Sequence, residues 1–243
     1  MKTRQNNALP AGDAAVLIAR LFLGRPYQAQ TLDGAGREKL TVNVSVFDCL
    51  TFVETVLALA RCARLGKLTP AAFKKNLKFI RYRGGKIQGY ASRLHYFTDW
   101  LRDNENKGVL ADATGSLGGK PSRKKIDFMT THLSLYPWLK NPVQLSEIMK
   151  VEKSLSRRTI RTIPRNQVGA VADKIQNGDI IAFTARQPGL DVAHVGFALR
   201  EGKSLRLLHA SQKDGRVSLS GKTLAAYLRS REQFTGVMIA RPL

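Results

Sequence analysis

The spacing of hydrophobic residues predicts helices in the first half of the chain. From Cys49 to about Leu65 apolar residues recur every three or four positions, which is typical of one face of an amphipathic helix. Asp48 is a favourable N-cap before this segment and Gly66 a favourable stop after it. The apolar positions that form the predicted stripe are Leu50, Val53, Leu57 and Ala60.

Three further segments have helical patterns. Residues 13–23 form an apolar run that Asp13 would cap and Gly24 would end. The run superficially resembles a secretion leader, but Arg20 interrupts it and no small-residue cleavage site follows, so we expect a helix of the fold. Thr69-Pro70 opens another helix, and residues 146–155 form the last. The apolar face of the Thr69-Pro70 helix is predicted to be Phe73, Leu77 and Ile80.

The pattern changes to short β-branched or alternating runs in the second half. Predicted strands cover residues 179–184, 192–200, 204–209 and 236–241, separated by turn dipeptides such as Asn177-Gly178. Helices followed by an antiparallel sheet predict an α+β fold. We expect one domain over residues 1–243, with a mainly helical N-terminal half and a mainly sheet region from 175 to 243.

Charge is the unusual feature of the composition. The 243 residues include 40 Lys and Arg against 18 Asp and Glu, a net charge of +22. Such an excess attracts polyanions, although scattered cations are more often solvated surface than a nucleic-acid groove, and nucleic acid is therefore not the predicted partner. No apolar run approaches the roughly 20 residues of a membrane span. Modest basic clusters lie at 120–125 and 157–165, and the pattern predicts no oligomeric state.

Cys49 is the first candidate for chemistry. It follows Asp48 at the predicted first turn of a helix, where unpaired N–H groups and the helix dipole lower a thiol pKa and favour a nucleophilic thiolate. The alternative is a small buried hydrophobe, which is the role expected for Cys62. Two cysteines are too few for a disulfide framework.

His194 and His209 are the candidate partners of that thiol. Alternation places His194 on one strand face with Gly196 and Ala198, small neighbours that leave room beside the ring. His209 ends the next strand, and a hairpin through Gly202 would bring the two rings together. A cysteine, a base and an orienting histidine form a nucleophilic triad. The same three side chains could instead bind zinc, although close metal-ligand spacing is lacking, and no cofactor or metal is predicted.

Residues 81–100 combine aromatic rings with arginines. Arg83 and Arg93 are the candidate functional residues of this segment, because guanidinium groups and rings suit a groove that binds carboxylates, sugars or peptide planes. Single-stranded nucleic acid would suit the same groove. Phe97 and Trp100 are as readily explained as core residues.

Taken in order, several motifs resemble one bacterial family. These are Phe47-Asp-Cys-Leu-Thr-Phe-Val-Glu54, Arg81-Tyr-Arg83, Arg93-Leu-His-Tyr-Phe-Thr-Asp-Trp100, Gly178-Asp-Ile-Ile181, His194-Val-Gly196 and Leu208-His-Ala-Ser211. The chain is similar over nearly its whole length to the N-acetylmuramoyl-L-alanine amidase-like family of the NlpC-type, papain-like cell-wall hydrolases.

The resemblance implies a circularly related papain-like fold, with the nucleophile on a helix N-terminus packed against an antiparallel sheet. It implies Cys49 as nucleophile, His194 as base and His209 as the orienting residue. The implied substrate is peptidoglycan or a muropeptide, and this substrate class places the protein in the periplasm or outside the cell. The predicted substrate-binding residues are Asp48, Tyr82, Arg83, Arg93, Tyr96 and Ser211.

Two alternatives to amidase action stay open. Many relatives cut the γ-D-glutamyl–diamino acid bond of the stem peptide, which the same site could also do. A protein of another class, a non-catalytic cationic binder of nucleic acid or wall polymer, would explain the charge without the cysteine.

Overall fold

The computed structural model describes residues 9–33 and 37–243. Its helices are α1 Ala11–Arg20, α2 Cys49–Arg64, α3 Pro70–Arg81, α4 Phe97–Asn106, α5 Phe128–Thr131, α6 Pro142–Ser156, α7 Val168–Val171 and α8 Leu224–Arg229. Its strands are β1 Leu110–Asp112, β2 Lys120–Ser122, β3 Ile160–Pro164, β4 Ile180–Ala185, β5 Val192–Glu201, β6 Ser204–Ser211, β7 Arg216–Thr223 and β8 Phe234–Pro242. Mixed α+β architecture is therefore confirmed.

The strands form an antiparallel sheet in the order β2-β3-β8-β4-β5-β6-β7, and β1 pairs with β8 beside this path. The predicted hairpin between β5 and β6 is confirmed, with Glu201 opposite Ser204. Gly202 in its turn has φ of +59°, a left-handed conformation that glycine adopts without strain. Strand β8 lies between β3 and β4, so the end of the chain is in the middle of the sheet.

The two faces of the sheet bury different cores. Val195, Phe197 and Leu199 of β5 belong to the larger cluster, which also contains Phe52 and Val56 of α2. The opposite face contributes to a second cluster with α8, whose members include Phe183, Ala198, Leu207, Leu224 and Phe234. Alternation along β5 thus separates two cores, and the N-terminus of α2 lies against the β5 side of the sheet.

A buried ion pair joins α2, α3 and α4. The Nε of Arg81 donates to Glu54 Oε2 at 2.6 Å, and Trp100 Nε1 donates to Glu54 Oε1 at 3.2 Å. The side chains of Arg81 and Glu54 are 3% and 1% exposed, so water contributes nothing to their solvation. These three residues connect α2, which carries the candidate thiol, to α3 and α4. Each of the bonded polar groups has its partner inside the protein.

Local signals predicted two helices well. The cap at Asp48 and the stop at Gly66 are confirmed for α2, and the Thr69 cap with Pro70 in the first turn is confirmed for α3. The helix predicted for 146–155 begins earlier, at Pro142, because the Asn141 side chain accepts hydrogen bonds from Val143 and Gln144.

The predicted limits of the first helix were wrong. Helix α1 begins at Ala11, and Asp13 lies in its first turn, where its carboxylate accepts a hydrogen bond from Asn177 instead of capping the helix. The helix ends at Arg20, and a turn over residues 21–24 connects it to Gly24 at φ +84°.

The division into a helical half and a sheet region was also incomplete. Strands β1, β2 and β3 precede residue 175 and join the same sheet, while α8 interrupts the strands after it. Helix α4, which starts inside the aromatic and arginine-rich segment 81–100, was not predicted. Within residues 9–33 and 37–243, none of the helices has the length and apolar character needed to cross a membrane.

We expect Arg81→Met to destabilise the protein by about 3–5 kcal/mol, because it leaves the Glu54 carboxylate buried without its cation. The free energy of unfolding in urea measures the effect. Arg20→Met is the matched control, since the Arg20–Glu201 pair is exposed on both sides and its loss costs less than about 1 kcal/mol. Equal losses in the two variants would contradict the structural role of the buried pair.

Candidate active site

Cys49 is the first residue of α2, and a reciprocal cap fixes it there. The Asp48 carboxylate accepts from the Thr51 N–H at 2.8 Å, while the Thr51 hydroxyl accepts from the Asp48 N–H at 2.9 Å. This capping box satisfies the third N–H of the helix and leaves those of Cys49 and Leu50 without a carbonyl acceptor. The thiol therefore lies beside two backbone N–H donors that the helix itself does not use.

The surroundings of the Cys49 thiol keep it neutral. Burial raises its pKa to about 12, and the negative charge of Asp48 adds to the rise. Backbone N–H groups of Val195, Cys49 and Leu50 lower the pKa but do not compensate. The helix N-terminus thus acts in the predicted direction, while the predicted net lowering of the thiol pKa is wrong because desolvation of the charged form is larger.

The two predicted histidines are in contact. His194 Nε2 lies 2.6 Å from His209 Nδ1, and the ring centroids are 4.8 Å apart. The register between β4 and β5 shifts just before His194, since Phe183 is opposite His194 but Thr184 is opposite Val192. This bulge at Ala193 interrupts the alternation and sets the direction of the His194 ring.

Gly196 makes room for the histidine contact. A Cβ on this residue would lie 2.8 Å from the His209 Cβ and 2.9 Å from the Leu208 carbonyl oxygen, which is closer than real side chains approach. The predicted small neighbour of His194 is therefore confirmed as a requirement of the packing between β5 and β6.

Burial favours the neutral form of both rings. Burial lowers the pKa of His194 well below its usual value, with further lowering by His209 and Arg231. Burial also lowers the pKa of His209 to about 4; Asp214 opposes this shift and Arg231 adds to it. Because His194 Nε2 faces His209, its Nδ1 is the nitrogen left to accept a proton.

A cleft opens beside the histidine pair. Two adjoining cavities of about 300 and about 290 Å³ share His209, Ser211, Lys213, Tyr227 and Arg231 in their walls. His194, Ala193, Gln212, Gln233 and Phe234 complete the first cavity.

Cys49 lines neither cavity of this cleft. Its thiol lies against the backbone N–H of Val195, the residue that follows His194. Its charge also contributes to the raised pKa of Tyr227, whose ring lines both cavities. The thiol is therefore within electrostatic reach of the cleft wall.

Among the predicted substrate-binding residues, Ser211 is in the cleft wall, and its hydroxyl accepts from the Asp214 N–H at 3.2 Å. Asp48 is beside the thiol, but its carboxylate is bonded to Thr51 as the helix cap. Arg83 is at the surface, paired with Asp99 at 2.7 Å. Only Ser211 of these three lines the cleft.

The other three predicted binders have partners inside the protein. Tyr82 donates to Glu38 at 2.7 Å, and Tyr96 donates to Glu152 at 2.7 Å. Arg93 donates to Asp33 at 2.8 Å and stacks over the Tyr90 ring. Their side chains are almost fully buried. Direct contact of these residues with a substrate stays a prediction, and the structure gives them packing roles.

Three residues near the thiol and histidines were missed. Tyr27 has its pKa raised to about 12 by burial and by the charges of Cys49 and Asp48, which places it beside the nucleophile. Tyr227 packs its ring on His209 at 5.4 Å, and Arg231 lies over the Tyr227 ring at 5.3 Å. Long-range contacts of the fold bring these residues to the site. No local motif marks α8 or the turn after it, where Tyr227 and Arg231 lie.

The contact between His194 and His209 limits how these two side chains could bind zinc. The hydrogen bond occupies one nitrogen of each ring, leaving each imidazole a single nitrogen for a metal. In the part of the chain that the structure describes, no three His, Cys, Asp or Glu residues are grouped for metal binding.

Comparisons with known proteins agree with the sequence resemblance. The sequence model of a family described as AmiA-like, N-acetylmuramoyl-L-alanine amidase-like, matches residues 17–237. An N-acetylmuramoyl-L-alanine amidase from Bacteroides uniformis is 38% identical, with a TM-score of 0.90 over 96% of this chain and 98% of that one. A search of curated proteins finds no match.

Two further solved structures share the fold. A Bacteroides fragilis protein provisionally named a xylanase is 38% identical, with a TM-score of 0.88 over 93% of this chain and 99% of that one. A Legionella pneumophila protein of the family DUF1460 is 24% identical, with a TM-score of 0.73 over 98% of this chain and 90% of that one. The latter supports the fold alone.

We expect alkylation of Cys49 by iodoacetamide to be slow at pH 7 and to rise about tenfold per pH unit up to pH 10, because only the thiolate reacts. The raised pKa of about 12 places the plateau beyond this range. Rates measured in a Cys62→Ala background isolate Cys49, and a cysteine peptide with its plateau near about pH 8.5 is the reference. A plateau below pH 7 would indicate a resting thiolate–imidazolium pair and contradict the neutral site.

Proposed function

This chain belongs to the N-acetylmuramoyl-L-alanine amidase-like family, and from that premise we propose that it hydrolyses the amide bond between the muramoyl lactyl group and L-alanine. The substrate is peptidoglycan or a released muropeptide. The observation that carries the proposal is the 2.6 Å contact of His194 with His209, next to the residue whose N–H faces the Cys49 thiol. A nucleophile, a base and an orienting group are what amide cleavage requires.

In the proposed reaction, the Cys49 thiol attacks the amide carbonyl carbon while His194 Nδ1 takes the thiol proton. The backbone N–H groups of Cys49 and Leu50, unused by the helix, donate to the oxyanion. The C–N bond then breaks, and the imidazolium gives its proton to the leaving L-alanine nitrogen. The product of this half-reaction is a thioester of the lactyl carboxyl group.

Water completes the cycle. His194, neutral again, removes a proton from a water molecule that attacks the thioester carbonyl. The C–S bond breaks, the thiolate recovers the proton, and the lactyl carboxylic acid leaves. His209 holds the His194 ring through the Nε2–Nδ1 hydrogen bond, so that Nδ1 stays directed away from it.

The cleft beside the histidines is suited to the anionic stem peptide. Arg231 is half-buried and Lys213 exposed in its wall, and within the described chain neither has a carboxylate partner. A guanidinium group next to a ring and without an anion is well placed to bind a substrate carboxylate. We therefore assign the D-glutamate or diamino-acid carboxylates to Arg231 and Lys213.

Fold type and compartment are part of the same proposal. A nucleophilic helix N-terminus against an antiparallel sheet is the arrangement of papain-like, NlpC-type hydrolases, to which we assign this chain as a single domain. A peptidoglycan substrate favours a periplasmic or exported protein.

A glycosidase activity fits the site less well. Glycoside hydrolysis generally uses two carboxyl groups on opposite sides of the scissile bond. Near the thiol and histidines the carboxylates are Asp48, bonded to Thr51, and Asp214, bonded to Ser218. Both are occupied by structural hydrogen bonds.

We expect Cys49→Ala to abolish hydrolysis of a defined muropeptide with no loss of folding, because the variant removes only the nucleophile. Cys62→Ala is the matched control and keeps its activity, since that thiol is buried near the opposite end of α2. Mass spectrometry of the products identifies the bond. Release of the whole stem peptide with an L-alanine N-terminus supports the amidase.

Other products have defined meanings in the same experiment. Cleavage between D-glutamate and the diamino acid would establish the endopeptidase alternative at the same site. An active Cys49→Ala protein would overturn the cysteine mechanism. Steeply salt-dependent binding of wall polymer or nucleic acid that survives Cys49→Ala, without turnover in the wild type, would favour the cationic binding protein.

We expect Arg231→Gln to raise KM about tenfold or more and to change kcat less, because it removes a carboxylate contact away from the reacting bond. The Arg231 charge lowers the pKa of both histidines, so its loss raises them. A base works only when neutral, and the acidic limb of kcat/KM therefore moves to higher pH. Lys203→Gln, in the exposed hairpin turn, is the control. Equal KM values would contradict the assignment.

A further inference from the structure

A second cleft lies between α4 and α6 and is lined almost entirely by cations. Its volume is about 610 Å³, twice that of either cavity beside the histidines. None of its lining residues is acidic. They are Arg102, Lys150, Lys153, Ser154, Arg157 and Arg158.

Three of these cations have no carboxylate partner. Arg158 bonds Asp99 at 3.1 Å and Lys150 bonds Glu147 at 2.6 Å. In the described part of the chain no salt bridge engages Arg102, Lys153 or Arg157. The cleft therefore keeps a net positive charge after its internal pairs are formed.

The cations on α6 repeat along one exposed face. Lys150, Lys153 and Arg157 are three and four residues apart, so they lie above one another and span about 10 Å of helix axis. Like charges at this spacing destabilise a helix. A single phosphate would be too small to contact them all, whereas an extended chain of anionic groups could follow the row.

Arg158 holds the two walls of the cleft together. Its guanidinium group bonds Asp99 of α4 and the Ser154 hydroxyl of α6. Asp99 also bonds Arg83, so the buried carboxylate anchors a cation on each side. The row of cations thus lies along a shallow, open depression whose two helices Arg158 connects.

From this arrangement we propose that the α4–α6 cleft binds a polymer of phosphodiesters. Arginine forks bind phosphate oxygens in pairs, and three of the five cations are arginines. The unpaired cations Lys153 and Arg157 follow one another along the helix axis, and this linear arrangement matches the evenly spaced phosphates of an extended chain. The residues of the proposed reaction play no part in this site, so the inference is independent of the proposed amide hydrolysis.

The test compares two variants of equal net charge. The cleft variant carries Arg102→Ala, Lys153→Ala and Arg157→Ala. The control carries Lys74→Ala, Lys75→Ala and Lys78→Ala, three exposed lysines of α3 outside the cleft. Both are made in the Cys49→Ala chain, so hydrolysis does not interfere, and unchanged melting temperatures verify folding. The probes are poly(glycerol phosphate) and a single-stranded oligodeoxynucleotide.

We expect the cleft variant to lose about tenfold or more in affinity for these probes and the control to lose less than about threefold. The slope of log K against log salt should become less negative by about 2 in the cleft variant, as three fewer phosphate contacts require. The tighter of the two probes identifies the source of the phosphodiester.

Several results would overturn the proposal. Equal losses in the two variants would mean that net charge alone attracts the polymer. Undetectable binding by the parent chain would exclude the site. Cleft-dependent binding to polyglutamate of the same length, or to vesicles with 30% anionic lipid, without binding to either phosphodiester, would assign the cleft to carboxylates or to a membrane.

Discussion

The reciprocal cap between Asp48 and Thr51 is the interaction on which the site depends. It fixes the first turn of α2 and satisfies the third N–H, so that Cys49 begins the helix with its own N–H and that of Leu50 beside the thiol. The same carboxylate raises the thiol pKa through its charge. Asp48 thus fixes the first turn of α2 and adds its charge to the larger effect of burial, and both raise the pKa of the Cys49 thiol.

Features set by neighbours in the chain could be predicted from the sequence. The cap and stop of α2, the Pro70 start of α3 and the Gly202 hairpin all depend on residues within a few positions of each other. The contact between the histidines follows from that hairpin, because strand register and side-chain alternation decide which rings meet. Gly196 was predicted as a small neighbour for the same reason.

Features set by distant contacts could not be predicted. Tyr96 and Arg93 belong to a segment whose composition is typical of a binding groove. Both side chains are buried instead, where they bond to carboxylates of remote segments, Glu152 and Asp33. Trp100 of α4 likewise donates to the buried Glu54 of the distant helix α2. Two further features depend on the pairing of β4 with β5 and β8, namely the bulge at Ala193 and the position of Arg231 in the cleft wall. No local signal in the sequence predicts this pairing.

The division of acidic side chains between the interior and the surface affects the charge that the protein presents to water. Five of the 18 acidic residues are buried. Glu54, Asp99, Glu152, Asp179 and Asp191 are each at most 3% exposed. Those carboxylates bind backbone N–H groups, hydroxyls and selected arginines, and more exposed acidic residues pair with only a few of the remaining cations, such as Lys125 with Asp127. The excess of cations gives the protein a positive field that attracts anions over a long range. Attraction of this kind is general, whereas selectivity comes from the few cations that the fold holds in place.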